Sequence, residues 1–226
     1  MPPSEPAVVT VETPLGDARA HRYTAGRARR GGVSLVLGHG AGGGIGARDL
    51  QALALGLPSP GLDVVLVEQP WRVAGRRLAP ASRRLDEAWT AVLASPDLRL
   101  RPTVVVGGRS AGARVACRTA AATGASGVLL LAFPLHPPGR PDKTRTDELG
   151  LVDGLPLLLV QGERDPFGAP AEFPPGVPVT VVPGADHGFA VPARAPVPLG
   201  EALDLLVAAV AGWLAGLGEE APARRR

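Results

Sequence analysis

Three short segments hold residues whose types and order could do chemistry. Gly108-Arg109-Ser110-Ala111-Gly112 puts a serine between glycines, where an apolar β-branched run ends and a helix-forming run begins. A sharp strand-to-helix turn of this kind lifts the hydroxyl clear of a sheet, and small neighbours let strand and helix backbones approach closely. Asp165 follows the apolar run 157–160, and His187 follows the run 179–182. A serine, an acid and a histidine at successive strand ends supply a nucleophile, a group that orients the base, and the base itself. Asp165 is the first choice of acid, followed by Glu163, Asp186 and Asp142. Among the four histidines, His21 lies in an expected hairpin and His39 in a glycine-rich loop. His187 is the favoured base, and His136, after the run 128–131, stands where it could reach the mouth of a site.

Acyl transfer also needs donors for the oxyanion. The run 33–38 leads into His39-Gly40-Ala41-Gly42-Gly43-Gly44, a loop in which backbone N–H groups are not screened by side chains. Ala41 is the expected first donor and Ala111, next to the serine, the second. A phosphate loop is the competing reading, but the lysine and Ser/Thr of a Walker motif are missing, the glycines do not keep the usual setting of a dinucleotide site, and its candidate ribose-binding acids, Asp63 and Glu68, sit at either end of the next strand. The chemistry predicted is acylation of Ser110 and hydrolysis of the acyl-serine, with no metal and no organic cofactor. Trp71, Phe133, Phe167 and Phe189 all follow strand ends and could line an apolar cleft. Arg109, with Arg72, could attract an anionic part of a substrate. A small-molecule acyl compound is the expected partner.

These residues need a scaffold that brings strand ends together. Segments 8–13 and 18–24 alternate like half-buried strands across a turn at 14–17, and predict a hairpin. The continuous apolar runs 34–37, 64–67, 103–106, 128–131, 157–160 and 179–182 fit strands covered on both faces. Helical spacing appears at 49–57, 82–93, 111–122 and 198–217. Alternating strand and helix predicts an α/β fold in three layers, with a mostly parallel eight-stranded sheet, an N-terminal hairpin, helices on both faces and no separate cap domain. One domain is expected over 7–217, with flexible ends at 1–6 and 218–226.

Composition narrows the classes. With 226 residues, 45% hydrophobic and 20% charged, the chain can bury one substantial core. A formal net charge of +3, spread along the sequence, argues against nucleic acid. The single cysteine, Cys117, offers no disulfide or zinc spacing. The first six residues lack the parts of a signal peptide, and the apolar stretch 205–217 is shorter than a bilayer span of about 20 residues. A cytoplasmic protein with no membrane association is expected, its oligomeric state open, and Arg224, Arg225 and Arg226 read as a solvated tail.

The motifs together resemble the α/β-hydrolase superfamily. Within it the chain is similar to the dienelactone-hydrolase-related group that includes testis-expressed protein thirty and the hydrolase-like domain of a chromatin acetyltransferase-complex subunit. The segments that carry the likeness are His39-Gly40-Ala41-Gly42-Gly43, residues 107–114, Phe133-Pro134-Leu135-His136-Pro137-Pro138-Gly139, Gln161-Gly162-Glu163-Arg164-Asp165-Pro166-Phe167-Gly168 and Asp186-His187. The resemblance implies a serine hydrolase with Ser110, Asp165 and His187 in the family's triad positions. Two other readings use the same scaffold: a non-catalytic interaction module, and an acyltransferase with an acceptor other than water.

Overall fold

The computed structural model describes residues 5–25 and 31–220. In chain order the elements are β1 (Ala7–Thr13), β2 (Gly16–Tyr23), β3 (Val33–Gly38), α1 (Arg48–Gly56), β4 (Leu62–Glu68), α2 (Pro70–Val73), α3 (Ser82–Ala94), β5 (Thr103–Arg109), α4 (Ala111–Thr119), β6 (Gly127–Leu131), α5 (Thr146–Gly150), β7 (Leu157–Gly162), β8 (Val179–Val182) and α6 (Leu199–Glu220). They build one eight-stranded sheet in the order β1-β2-β4-β3-β5-β6-β7-β8. β2 pairs antiparallel with β1 and with β4, and the remaining neighbours run parallel. The expected hairpin and mostly parallel sheet are both present.

Valine and leucine dominate the central strands because helices cover both faces. Successive side chains point to opposite sides of a strand, so each apolar run feeds two cores. Val36, Val65, Val106 and Leu130 pack with Trp71, Leu85, Trp89 and Val115 from α2, α3 and α4. Leu35, Leu66, Val105 and Leu129 face the other way, onto Leu50 and Leu53 of α1 and Leu206, Val210 and Leu214 of α6. The result is the three-layer arrangement. The connection 134–154 holds only the short α5, whose Leu149 is buried, and no cap domain stands over the sheet among the described residues.

Several boundaries differ from the sequence pattern. α2 and α5, of four and five residues, are too short to show a period. α4 ends at Thr119 rather than 122, and the chain closes in hydrogen-bonded turns before Gly124, at φ +64°. The hairpin is tighter than expected: Gly16 and Asp17 belong to β2 and pair with Thr13 and Glu12. At the C-terminal end, the flexible tail expected from 218 instead continues α6 to Glu220. Of the other expected flexible positions, Glu5 and Pro6 precede β1 without regular structure, and 1–4 and 221–226 with Arg224, Arg225 and Arg226 lie outside the described residues. By length and composition alone, α6 from Leu199 to Leu217 could cross a membrane, but its Ala202, Leu206, Val210 and Leu214 pack against the sheet.

Candidate active site

Ser110 stands between β5 and α4 with φ +54° and ψ −111°. A non-glycine residue there carries about 1–3 kcal/mol of strain, held in place by the Ser110 N–H, which donates to Leu131 O at 3.0 Å. The flanking glycines are required by close approach. A Cβ on Gly108 or on Gly112 would lie 2.5 Å from Gly38 O, so no larger residue fits at either without moving β3 from the turn.

β7 and β8 bring the other two residues to this point. The Ser110 hydroxyl donates to His187 Nε2 at 2.9 Å, and His187 Nδ1–H donates to Asp165 Oδ2 at 2.8 Å. The tautomer follows from the partners: the carboxylate accepts at Nδ1, leaving Nε2 free to take a proton. The Asp165 side chain has no solvent exposure. It also accepts the Phe167 N–H at 2.8 Å and Gln161 Nε2 at 2.9 Å, and these fix its plane. The rival acids are occupied elsewhere. Glu163 accepts the Gly184 N–H, Asp186 accepts the N–H groups of Gly188 and Ala190 within its own loop, and Asp142 is exposed.

The glycine-rich loop after β3 lies over the start of α4. Gly40, Ala41, Ala111 and Gly112 line one narrow crevice with His39, Gln69 and Trp71, so the two expected oxyanion donors share one space. Ala111 is the first residue of α4, where N–H groups have no intrahelical acceptor. His39 is structural. Its Nε2 accepts the Gln69 N–H at 3.2 Å, so its Nδ1–H donates to Gly40 O at 2.9 Å. Burial pushes its pKa down, keeping the ring neutral and the loop anchored.

The expected cleft residues divide. Phe167 stacks on the His187 ring with centroids 4.1 Å apart, and Trp71 lines the crevice with its edge against His39. Gln69 and Trp71 also border a cavity of about 300 Å³ with Arg76 and Arg84. Phe133 and Phe189 are wholly buried, one in each core; the reading of both as cleft linings is corrected, because each ring points into a helix–sheet interface. His136, expected where it could reach the mouth of the site, is buried and engaged elsewhere: its Nδ1 lies 2.9 Å from Pro137 O and its Nε2 3.3 Å from Glu172. Arg109 is likewise corrected as a substrate contact, since its Nη2–H donates to His187 O at 2.6 Å and its Nε lies 3.3 Å from Asp49. Arg72 remains exposed beside Trp71.

Two residues around the site, Gln161 and Asp49, escape the sequence reading, and a third, Asp186, takes a different role. Gln161 is a polar side chain closing an apolar strand and fully buried, a signal that could have been read. Asp186, a candidate acid by its place beside His187, instead holds the turn of the histidine loop. Asp49 reads in sequence as an ordinary acid in the first turn of a helix, and nothing local signals that it is buried.

Residues 31–215 match a family model described as an alpha/beta hydrolase domain. No curated protein matches the sequence. Similar solved structures include an α/β serine hydrolase without a lid from Xanthomonas campestris, 22% identical with a TM-score of 0.68 over 93% of this chain and 96% of that one. A dienelactone hydrolase from Anabaena variabilis is 19% identical, with a TM-score of 0.66 over 96% and 99%. Est1E from Butyrivibrio proteoclasticus is 13% identical, with a TM-score of 0.67 over 94% and 99%. At these identities the likeness is one of fold.

Proposed function

The chain belongs to the alpha/beta hydrolase family, and from that premise we propose that it is a serine hydrolase acting on carboxylic esters or related small acyl compounds. The observation that carries this reading is the unbroken chain of hydrogen bonds from Ser110 through His187 to Asp165. His187 Nε2 takes the hydroxyl proton as Ser110 Oγ bonds to the carbonyl carbon, and the carbonyl oxygen becomes an oxyanion facing the N–H groups of Ala41 and Ala111. Collapse breaks the ester C–O bond, and the leaving alcohol receives the proton from His187. Water, deprotonated by the same imidazole, then releases the acid. Asp165 keeps the imidazole in the required tautomer throughout.

The absence of a cap over the described sheet edge favours small or exposed acyl groups over long lipids. The finer kinship with the dienelactone-hydrolase-related group is part of this proposal, supported by the segments around His136 and Asp165 and by the fold of the Anabaena enzyme. So is a reducing, cytoplasmic setting, supported by the free and buried Cys117, whose pKa burial pushes up to about 12.

The test is fluorophosphonate labelling, with the adduct located by peptide mass spectrometry, followed by turnover of p-nitrophenyl acetate. Adduct on Ser110, absent from Ser110→Ala, is expected. A folded protein that takes no label at Ser110 overturns the hydrolase reading and favours an interaction module.

A further inference from the structure

We propose that Asp49 and Arg109 are positioning residues of this site, a buried ion pair that fixes the loop carrying His187 at the separation where its imidazole meets the Ser110 hydroxyl. The inference rests on the serine-hydrolase reading and deepens it.

Arg109 immediately precedes the proposed nucleophile, at the end of β5. Its guanidinium meets three segments that are far apart in sequence. Nη2–H donates to the backbone carbonyl of His187 at 2.6 Å, and Nε faces Asp49 of α1 at 3.3 Å. A Cβ on Gly40, in the oxyanion loop, would come within 3.1 Å of Nη1, and one on Gly188 within 3.7 Å of Nη2. One planar group therefore links the elbow to α1 and to the histidine loop, and lies beside the oxyanion loop.

Asp49 explains why that group stays in place. Its side chain has no solvent exposure, and neither carboxylate oxygen accepts a side-chain hydrogen bond. Such a charge is costly to bury, and an apolar residue of similar size would often be more stable there. Burial raises the Asp49 pKa and outweighs Arg109, the N–H groups of Asp49 and Leu50, and His187, which act in the opposite direction. Without Asp49 the Arg109 charge would stand uncompensated beside the imidazole, opposing the imidazolium that forms when Ser110 gives up its proton. With an ionised Asp49 opposite, the guanidinium charge is balanced and the donor to His187 O is held.

The experiment compares wild type with Asp49→Asn, Arg109→Gln, Arg109→Lys and the double variant Asp49→Asn/Arg109→Gln, each checked for folding by thermal melting. Hydrogen exchange of the backbone amides at 184–190 reads the loop directly, and faster exchange is expected in Asp49→Asn and Arg109→Gln. On the chemical side, the labelling rate at Ser110 and kcat on p-nitrophenyl acetate should fall by about ten- to a hundredfold, with KM changed by less than about twofold. The double variant should be no worse than the weaker single one, because the residues act as a unit, and Arg109→Lys should recover part of the loss. Unchanged exchange overturns the proposal. A raised KM with kcat intact also overturns it, assigning Arg109 to substrate binding. If wild type takes no label, the hydrolase reading fails by itself, while the exchange comparison still decides whether the pair holds the loop.

Discussion

Two fully buried aspartates, each facing arginine, sit at opposite ends of the same sheet, and they are built differently. At the end where the parallel strands begin, Asp63 receives Arg22 Nη2 at 2.5 Å, Arg101 Nε at 2.8 Å and Arg101 Nη2 at 3.0 Å. Arg101 also donates its backbone N–H to Ser34 Oγ, so β2, β3, β4 and the approach to β5 close around one carboxylate. At the other end, where the strands finish and Ser110 stands, Asp49 has a 3.3 Å contact with Arg109 and neither of its oxygens takes up a side-chain hydrogen bond. A carboxylate that takes a bidentate arginine and a second guanidinium locks an architecture. One that faces a guanidinium at 3.3 Å without taking up its hydrogen bonds leaves that guanidinium free to donate to the His187 carbonyl as well.

Substitutions can break this comparison or sharpen it. Asp165→Asn should have the largest effect on chemistry, lowering kcat by about 10⁴-fold because the imidazole is offered the wrong tautomer, with a thermal midpoint changed far less than at the opposite edge. Steady-state kinetics and a melt on one sample check both halves. Asp63→Asn should do the reverse: about 3–5 kcal/mol of stability is lost because two guanidinium groups are left beside a neutral side chain, read by urea denaturation, while kcat per folded molecule is retained. If turnover collapses as well, the two ends are not separable.

Gly112→Ala should harm both properties, since its methyl would press on Gly38 O at 2.5 Å and on His39 O at 3.0 Å. A loss of about 1–3 kcal/mol is expected from such overpacking, with labelling of Ser110 reduced through displacement of the oxyanion loop. The smallest effect is a pH dependence away from both ends. Burial alone would raise the Glu148 pKa, but the hydrogen bonds and charges of Arg114 and Arg118 outweigh it, so the folded-state value is lowered. Its contribution is therefore present above the ordinary glutamate range and lost as pH falls through the lowered value. Glu148→Gln should remove about 1 kcal/mol at neutral pH and flatten the acid side of the stability curve, leaving kcat unchanged.

Much of the fold was legible because its signals are local. Continuous valine and leucine runs of four residues, too short for a core helix, fit strands covered on both sides, and the Gly-x-Ser-x-Gly turn was recognisable from the small residues its crowding demands. The chain order Ser110, Asp165, His187 could likewise be read from which residues follow which strands. α2 and α5 were missed because a helix of four or five residues has no measurable period.

What the sequence determined by itself is the alternation of elements and the few residues that could come together at the strand ends, since periodicity and turn chemistry depend on near neighbours. Only the tertiary structure decided that His187 pairs with Asp165 while Glu163 and Asp186 brace backbone turns. The same holds for Phe133 and Phe189, which fill cores while Phe167 covers the imidazole. It holds again for Arg109, which turns inward to Asp49 and the His187 carbonyl. Each of those outcomes depends on which face a side chain takes and on what a distant segment places opposite it, and a pattern read along the chain carries neither.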